Sequence, residues 1–130
     1  MGADHFVDTS DTSFKKRLSK KFDLILNTVS AELDINTYLS LLRLDGTLVI
    51  IGLPGTPYSV QAGSLLTQRR SLAGSMIGGI AEMEEMLEFC ATHQITSEVE
   101  MIRADEINAA YDRAVASDVR YRFVIDTTTL

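Results

Sequence analysis

Residues Phe22 to Val29, FDLILNTV, and Gly46 to Pro54, GTLVIIGLP, decide how this chain is read. Each is a short, almost wholly apolar run closed by turn residues, the pattern of a strand buried on both faces of a parallel sheet. Helix-like stretches lie between and after them. A dinucleotide-type sheet opens with a strand, a glycine-rich turn and a helix that cradles phosphate. None of the 130 residues forms such a unit before or after these strands. The expectation is therefore an α/β chain that corresponds to the second half of such a domain.

Working outward, Asp4 to Thr9 (DHFVDT) reads as a short strand, and Ser10 to Ser13 offers N-cap residues for a helix to about Lys20. Ile35, Leu39 and Leu42 recur at helical spacing behind Asp34, a suitable cap. Asp45-Gly46 turns the chain into the second run. A loop rich in Gly, Pro and Ser follows from Gly55 to about Ser64, then a strand from Ser71 to Ile77 closed by Gly78-Gly79. From Ile80 to about His93, Met83, Met86, Leu87 and Cys90 share one helical face, a core-facing stripe rather than a sulfur metal site. Ile107, Ala110, Tyr111 and Ala114 repeat that logic within Ala104 to Ser117, before a last strand from Arg120 to Asp126. Strands alternating with helices predict a parallel sheet.

Composition sets limits. The chain is 45% hydrophobic and 23% charged, enough for one core rather than two domains. Twelve basic against eighteen acidic residues leave a net charge of −6, which opposes a phosphate-neutralising nucleic-acid surface. The basic cluster Lys15, Lys16, Arg17, Lys20 and Lys21 reads as the solvated face of a short helix. A single cysteine gives no disulfide framework and no cysteine-rich zinc site, so a reducing cytoplasm is the expected compartment. The apolar runs are too short to span a bilayer.

Chemistry is scarcer than architecture. His5 and His93 lie too far apart in sequence to suggest a metal pair, and the helix dipole accounts for His93 near a helix end. Cys90 on an apolar stripe reads as a small hydrophobe. Ser75 in AGSMIGG lacks the G-x-S-x-G of a hydrolase elbow. What remains is small and polar residues where strands end: Asn27-Thr28-Val29, Gly52-Leu53-Pro54 and Ser75-Met76-Ile77-Gly78. Ligands of open α/β sheets lie at such carboxyl ends. Gly52 either lets backbone approach a ligand or serves a turn, and spacing alone does not separate the two.

The stretches MGADHFVDT, FDLILNTV, LLRLDGTLVIIGLP, LAGSMIGGIAEMEEMLEFC and MIRADEINAAYDRAVASDVRYRFVID together resemble the carboxyl-terminal part of zinc-dependent, NADP-preferring alcohol dehydrogenases of the cinnamyl alcohol dehydrogenase group, medium-chain dehydrogenases. GSMIGG followed by an acidic helix, and the DVRYRFVID ending, make the resemblance specific. It covers essentially all 130 residues. It implies an incomplete Rossmann-type parallel sheet lacking its first two strands, in which residues 1–95 form the second half of the NADP domain. Residues 96–130 then return to pack with a catalytic domain. It further implies that Thr28 and Val29 after the fold's fourth strand, Gly52 and Leu53 after its fifth, and Ser75, Met76 and Ile77 after its sixth contact the nicotinamide half of NADP. Arg122 is a candidate for the cofactor's polar groups.

The same resemblance implies an oxidoreductase that moves a hydride between NADP(H) and a small alcohol or aldehyde, with no catalytic residue of its own in this stretch. Its zinc ligands and phosphate turn are expected outside these 130 residues, so the chain is expected to be a truncated piece, inactive alone, with weak or no NADP binding. It also implies a homodimer paired through the strand 71–77, without nucleic-acid or membrane partners. Two rival readings stand beside it: a noncatalytic oligomerisation or interaction remnant, and a fragment of an adenosylmethionine-dependent methyltransferase, which GSMIGG fits poorly.

Overall fold

The computed structural model describes residues 2–130, which divide into two compact units, residues 2–77 and 78–130. Each unit closes a small sheet of its own, and the cluster of fully buried core residues lies in the first.

In the first unit, β1 (Phe22–Asn27), β2 (Leu42–Ile50) and β3 (Ser71–Gly74) form a parallel sheet in the order β1-β2-β3. Helix α1 (Phe14–Arg17) precedes it, α2 (Ile35–Leu41) connects β1 to β2, and α3 (Ala62–Leu66) precedes β3. Asp34 caps α2 as its sequence suggests, accepting the Asn36 N–H at 3.2 Å and the Thr37 hydroxyl at 2.6 Å. Ile35, Leu39, Leu42 and Leu48 are fully buried and make the core, the two helix positions and the first strand residue falling at the spacing read from the sequence. Burying each side chain of this size stabilises by roughly 1.5–3 kcal/mol.

Asp45-Gly46 turns the chain inside β2 rather than ahead of it. Phe22 pairs with Leu42 and Leu24 with Thr47, so the intervening residues of β2 bulge from the ladder. Asp45 has φ 62° and accepts a two-pronged pair from Arg69 at 2.8 and 2.6 Å. That guanidinium holds the Asp45 carboxyl below the usual carboxylate range.

Four further expectations are corrected. Asp4 to Thr9 forms no strand: it has no ladder partner among the described residues, and Phe6 is exposed. Helix α1 is a single turn that stops at Arg17 rather than about Lys20, while Asp11, within the expected cap stretch Ser10 to Ser13, supplies the acceptor oxygens. The loop to Ser64 contains the start of α3. The third strand ends at Gly74, three residues short of Ile77.

The second unit holds α4 (Ile80–Thr92), β4 (Glu100–Arg103), α5 (Ile107–Val115) and β5 (Phe123–Asp126), with β4 and β5 parallel. β4 is a strand that the sequence reading missed. The Glu82 carboxylate takes the Gly79 N–H at 2.7 Å and closes the start of α4. Met83, Met86 and Leu87 line one side of α4 but stay about half exposed, so the stripe is not covered as expected. Ala110 is the buried apolar residue of α5, whereas Tyr111 on the same predicted stripe is exposed.

Candidate functional site

The three parallel strands stop in one row. Asn27 is the last partner of Ile50, and Ile50 the last partner of Gly74, so Thr28, Ile51 and Ser75 leave the sheet side by side. Neighbouring strands lie about 4.8 Å apart, so their loops share one rim. This is the carboxyl edge, where open α/β sheets bind ligands.

Asn27 organises that rim. It is 8% exposed, and its carbonyl accepts the N–H groups of both Ile51 (2.8 Å) and Gly52 (3.0 Å), which ties the loop after β2 onto the end of β1. Its side-chain oxygen takes the Val29 N–H at 3.1 Å, and its amide nitrogen donates to the Tyr58 hydroxyl at 3.2 Å. The Ser75 N–H donates to the Ile50 carbonyl at 3.0 Å, continuing the sheet for one more bond.

Gly52 has a reason that sequence alone left between a ligand and a turn. A Cβ there would lie 2.3 Å from the Val29 carbonyl oxygen and 2.5 Å from its carbon. The glycine is required by the close passage of the β1 loop, and no ligand is needed to explain it.

Beside this crossing lies an open cleft of about 320 Å³, lined by Ile50, Ile51, Gly52, Leu53, Gly74, Ser75 and Met76. Leu53, Met76 and Ile77 are exposed at 81–89%, and Val29 is exposed as well. The cleft combines apolar walls with peptide edges and a serine hydroxyl, which suits a flat, partly polar ring. Seven of the eight residues singled out from the sequence therefore stand at the three strand ends. The eighth, Arg122, is in the second unit, on the residue before β5, with its side chain exposed. The sequence reading did not single out Tyr58. It sits 31 residues from Asn27 in a loop of Gly and Pro, and no local pattern signals such a pairing.

Among the described residues, no group of three or more His, Cys, Asp or Glu side chains is placed to hold a metal. Zinc does not fit the donors present here, and no chemical step of this chain runs through it. His93 ends α4 with its ring 4.2 Å from that of Phe89, and the Cys90 thiol lies 3.7 Å from the Met86 sulfur, both in keeping with structural roles.

The family model described as zinc-binding dehydrogenase matches residues 1–92. The NADP-dependent alcohol dehydrogenase C 1 of Mycolicibacterium smegmatis is 58% identical over 130 residues, all of this chain and 37% of that protein. Among solved structures, the cinnamyl alcohol dehydrogenase of Sorghum bicolor superposes with a TM-score of 0.86 at 37% identity, over 98% of this chain and 36% of that one. The CAD from Helicobacter pylori complexed with NADP(H) gives 0.71 at 31% identity, over 88% of this chain and 34% of that one. This chain thus spans little more than a third of the length of the relatives it matches.

Proposed function

We propose, on the premise that this chain belongs to the zinc-binding dehydrogenase family, that it forms the nicotinamide side of the cofactor cleft in an NADP-dependent alcohol or aldehyde oxidoreductase. The observation that carries the proposal is the single row of strand ends at Asn27, Ile50 and Gly74, with the cleft beside Gly52 and Ser75. When bound, the cofactor gives or takes the hydride. The chain's residues hold its ring: the peptide edges of Thr28, Val29, Gly52 and Leu53 and the Ser75 hydroxyl meet the carboxamide, while Met76 and Ile77 cover an apolar face and exclude water. Arg122 is offered for the cofactor's polar groups.

Within that reading, residues 1–95 belong to the cofactor domain and 96–130 pack with the catalytic domain, which carries the zinc ligands outside these residues. Two copies pair through the strand at 71–77, and the enzyme works in the cytoplasm. No helix among the described residues is long and apolar enough to cross a membrane. Neither the interaction remnant nor the methyltransferase finds support among the relatives.

The test is a chimaera in which this chain replaces the matching residues of the Mycolicibacterium smegmatis enzyme. It should reduce an aldehyde with NADPH, and Ser75→Trp should raise the KM for NADPH without lowering the unfolding midpoint. A folded chimaera whose NADPH KM ignores Ser75→Trp contradicts the placement.

A further inference from the structure

Between β2 and α3 the chain runs through residues 51–61 with neither helix nor strand, and the start of this loop, Ile51 to Leu53, forms part of the wall of the strand-end cleft. A surface loop rich in Gly and Pro ordinarily keeps freedom to move. Its far half is instead tied to the stretch 27–36. The Thr56 hydroxyl donates to the Glu32 carboxylate at 3.1 Å. The Tyr58 hydroxyl accepts the Asn27 amide N–H at 3.2 Å while the tyrosine packs against the core of Ile35, Leu39, Leu42 and Leu48. Asn36, in the first turn of α2, takes up the rest. Its amide nitrogen donates to the Ser59 carbonyl at 2.9 Å, and its amide oxygen accepts the Gln61 N–H at 2.9 Å and the Ser64 hydroxyl at 3.2 Å. The carbonyl of residue 59 and the N–H of residue 61 are the two groups that a neighbouring parallel strand would pair with, and one planar amide supplies both the donor and the acceptor.

Stability alone is a poor account of these ties. Tyr58 and Val60 already pack against the core, and hydrogen bonds between groups that water can reach contribute little net. What the ties do achieve is geometric. The Gly52 N–H is held on the Asn27 carbonyl at 3.0 Å and Thr56 is held on Glu32, so only residues 53–55 span the gap between two fixed ends. Leu53 in that span is 81% exposed, and a Cβ on Gly55 would meet nothing within 4 Å. Nothing packed over the span holds it, and its anchored ends do. An apolar wall fixed in this way is preorganised for a ring, because little loop freedom remains to be lost on binding.

We propose that Asn36 and Tyr58 are positioning residues that fix residues 56–61 and thereby hold Leu53 as a preformed wall of the strand-end cleft, so that binding the nicotinamide ring requires no ordering of the loop. This rests on the reading above that the cleft takes the ring. Neither Asn36 nor Tyr58 lines that cleft.

The experiment uses the same chimaera, reading amide hydrogen exchange over residues 52–61, Kd for NADPH by fluorescence, and KM and kcat, all well below the thermal midpoint of each variant. Leu53→Ala should weaken NADPH about tenfold, as loss of a side chain's apolar contact does. Asn36→Ala and Tyr58→Phe, the second of which keeps the ring and removes only the hydroxyl, should each speed exchange in the loop and weaken NADPH about fivefold with kcat within about twofold. The Asn36→Ala, Leu53→Ala double variant should be no weaker than Leu53→Ala alone. Asn36→Asp, which keeps the acceptor for Gln61 and Ser64 and loses the donor to Ser59, should fall between Asn36→Ala and the parent; it and Tyr58→Phe carry the test if Asn36→Ala fails to fold. If Leu53→Ala weakens NADPH while the Asn36 and Tyr58 variants do not, the positioning is wrong and the reading of the cleft stands. Unchanged exchange over the loop in those variants, or an additive double variant, overturns the proposal as well. If Leu53→Ala leaves NADPH binding unchanged, the proposal falls, while Ser75→Trp reports separately on whether the cleft takes the ring.

Discussion

Gly52 passes so near Val29 that a Cβ on the glycine would sit 2.3 Å from the valine carbonyl oxygen. The loops after β1 and β2 touch backbone to backbone, and Asn27 clamps the crossing with its carbonyl and its amide. Gly52→Ala should therefore destabilise the chain by about 3 kcal/mol or more, at or above the usual cost of overpacking, because the obstacle is backbone. Gly55→Ala, where a Cβ meets nothing within 4 Å, is the control and should be near neutral. Urea denaturation of both variants checks this. Equal midpoints would show that the loops part readily.

The N-cap of α2 predicts an acid-side loss of stability. The Thr37 hydroxyl, then the Asn36 N–H, hold the Asp34 carboxyl below its ordinary pKa. A folded pKa below the unfolded value gives stabilisation that is complete above about pH 4 and lost as pH falls through the folded value. Asp34→Ala should cost about 1 kcal/mol at neutral pH, and the difference from wild type should vanish near pH 2. Asp34→Asn, still an acceptor for the Asn36 N–H, should recover most of the cap and flatten the pH dependence. Denaturation midpoints across this range decide it.

Assembly follows from the sheet edges. β3 pairs on one side with β2 and with no other described strand, which leaves one row of peptide groups open. Light scattering should find a dimer or larger assembly, and Leu72→Pro on that strand should reduce it. A monomer at all concentrations contradicts pairing through 71–77.

The isolated 130-residue chain should bind NADP no tighter than about 100 μM, about −5.5 kcal/mol, since it offers the ring contacts without a glycine-rich phosphate turn. Titration calorimetry measures it. Low-micromolar affinity would mean that these residues carry a phosphate site the strand ends do not reveal.

The parallel strands were legible as apolar runs between turn residues, and the Asp34 cap because its chemistry is local; the burial expected on both faces of the first run is not found, since Leu24 and Leu26 in β1 are more than half exposed. Strand 71–77 was read too long since Ser75 to Ile77 continue the apolar pattern after Ile50 has no further partner to offer. β4 was missed because four residues pairing with a strand some twenty positions on leave a short local signal. The role of Gly52 and the Asn27–Tyr58 bond depend on loops that meet only after folding.

The central claim is that the nicotinamide ring lies against the ends of β1, β2 and β3. Isotope-filtered nuclear Overhauser contacts from the nicotinamide protons to labelled methyl groups, measured in the chimaera saturated with NADP, test it most directly. The predicted result is contacts to the methyls of Met76 or Ile77 together with those of Thr28 or Val29. Saturated cofactor whose nicotinamide touches none of these four residues would contradict the assignment.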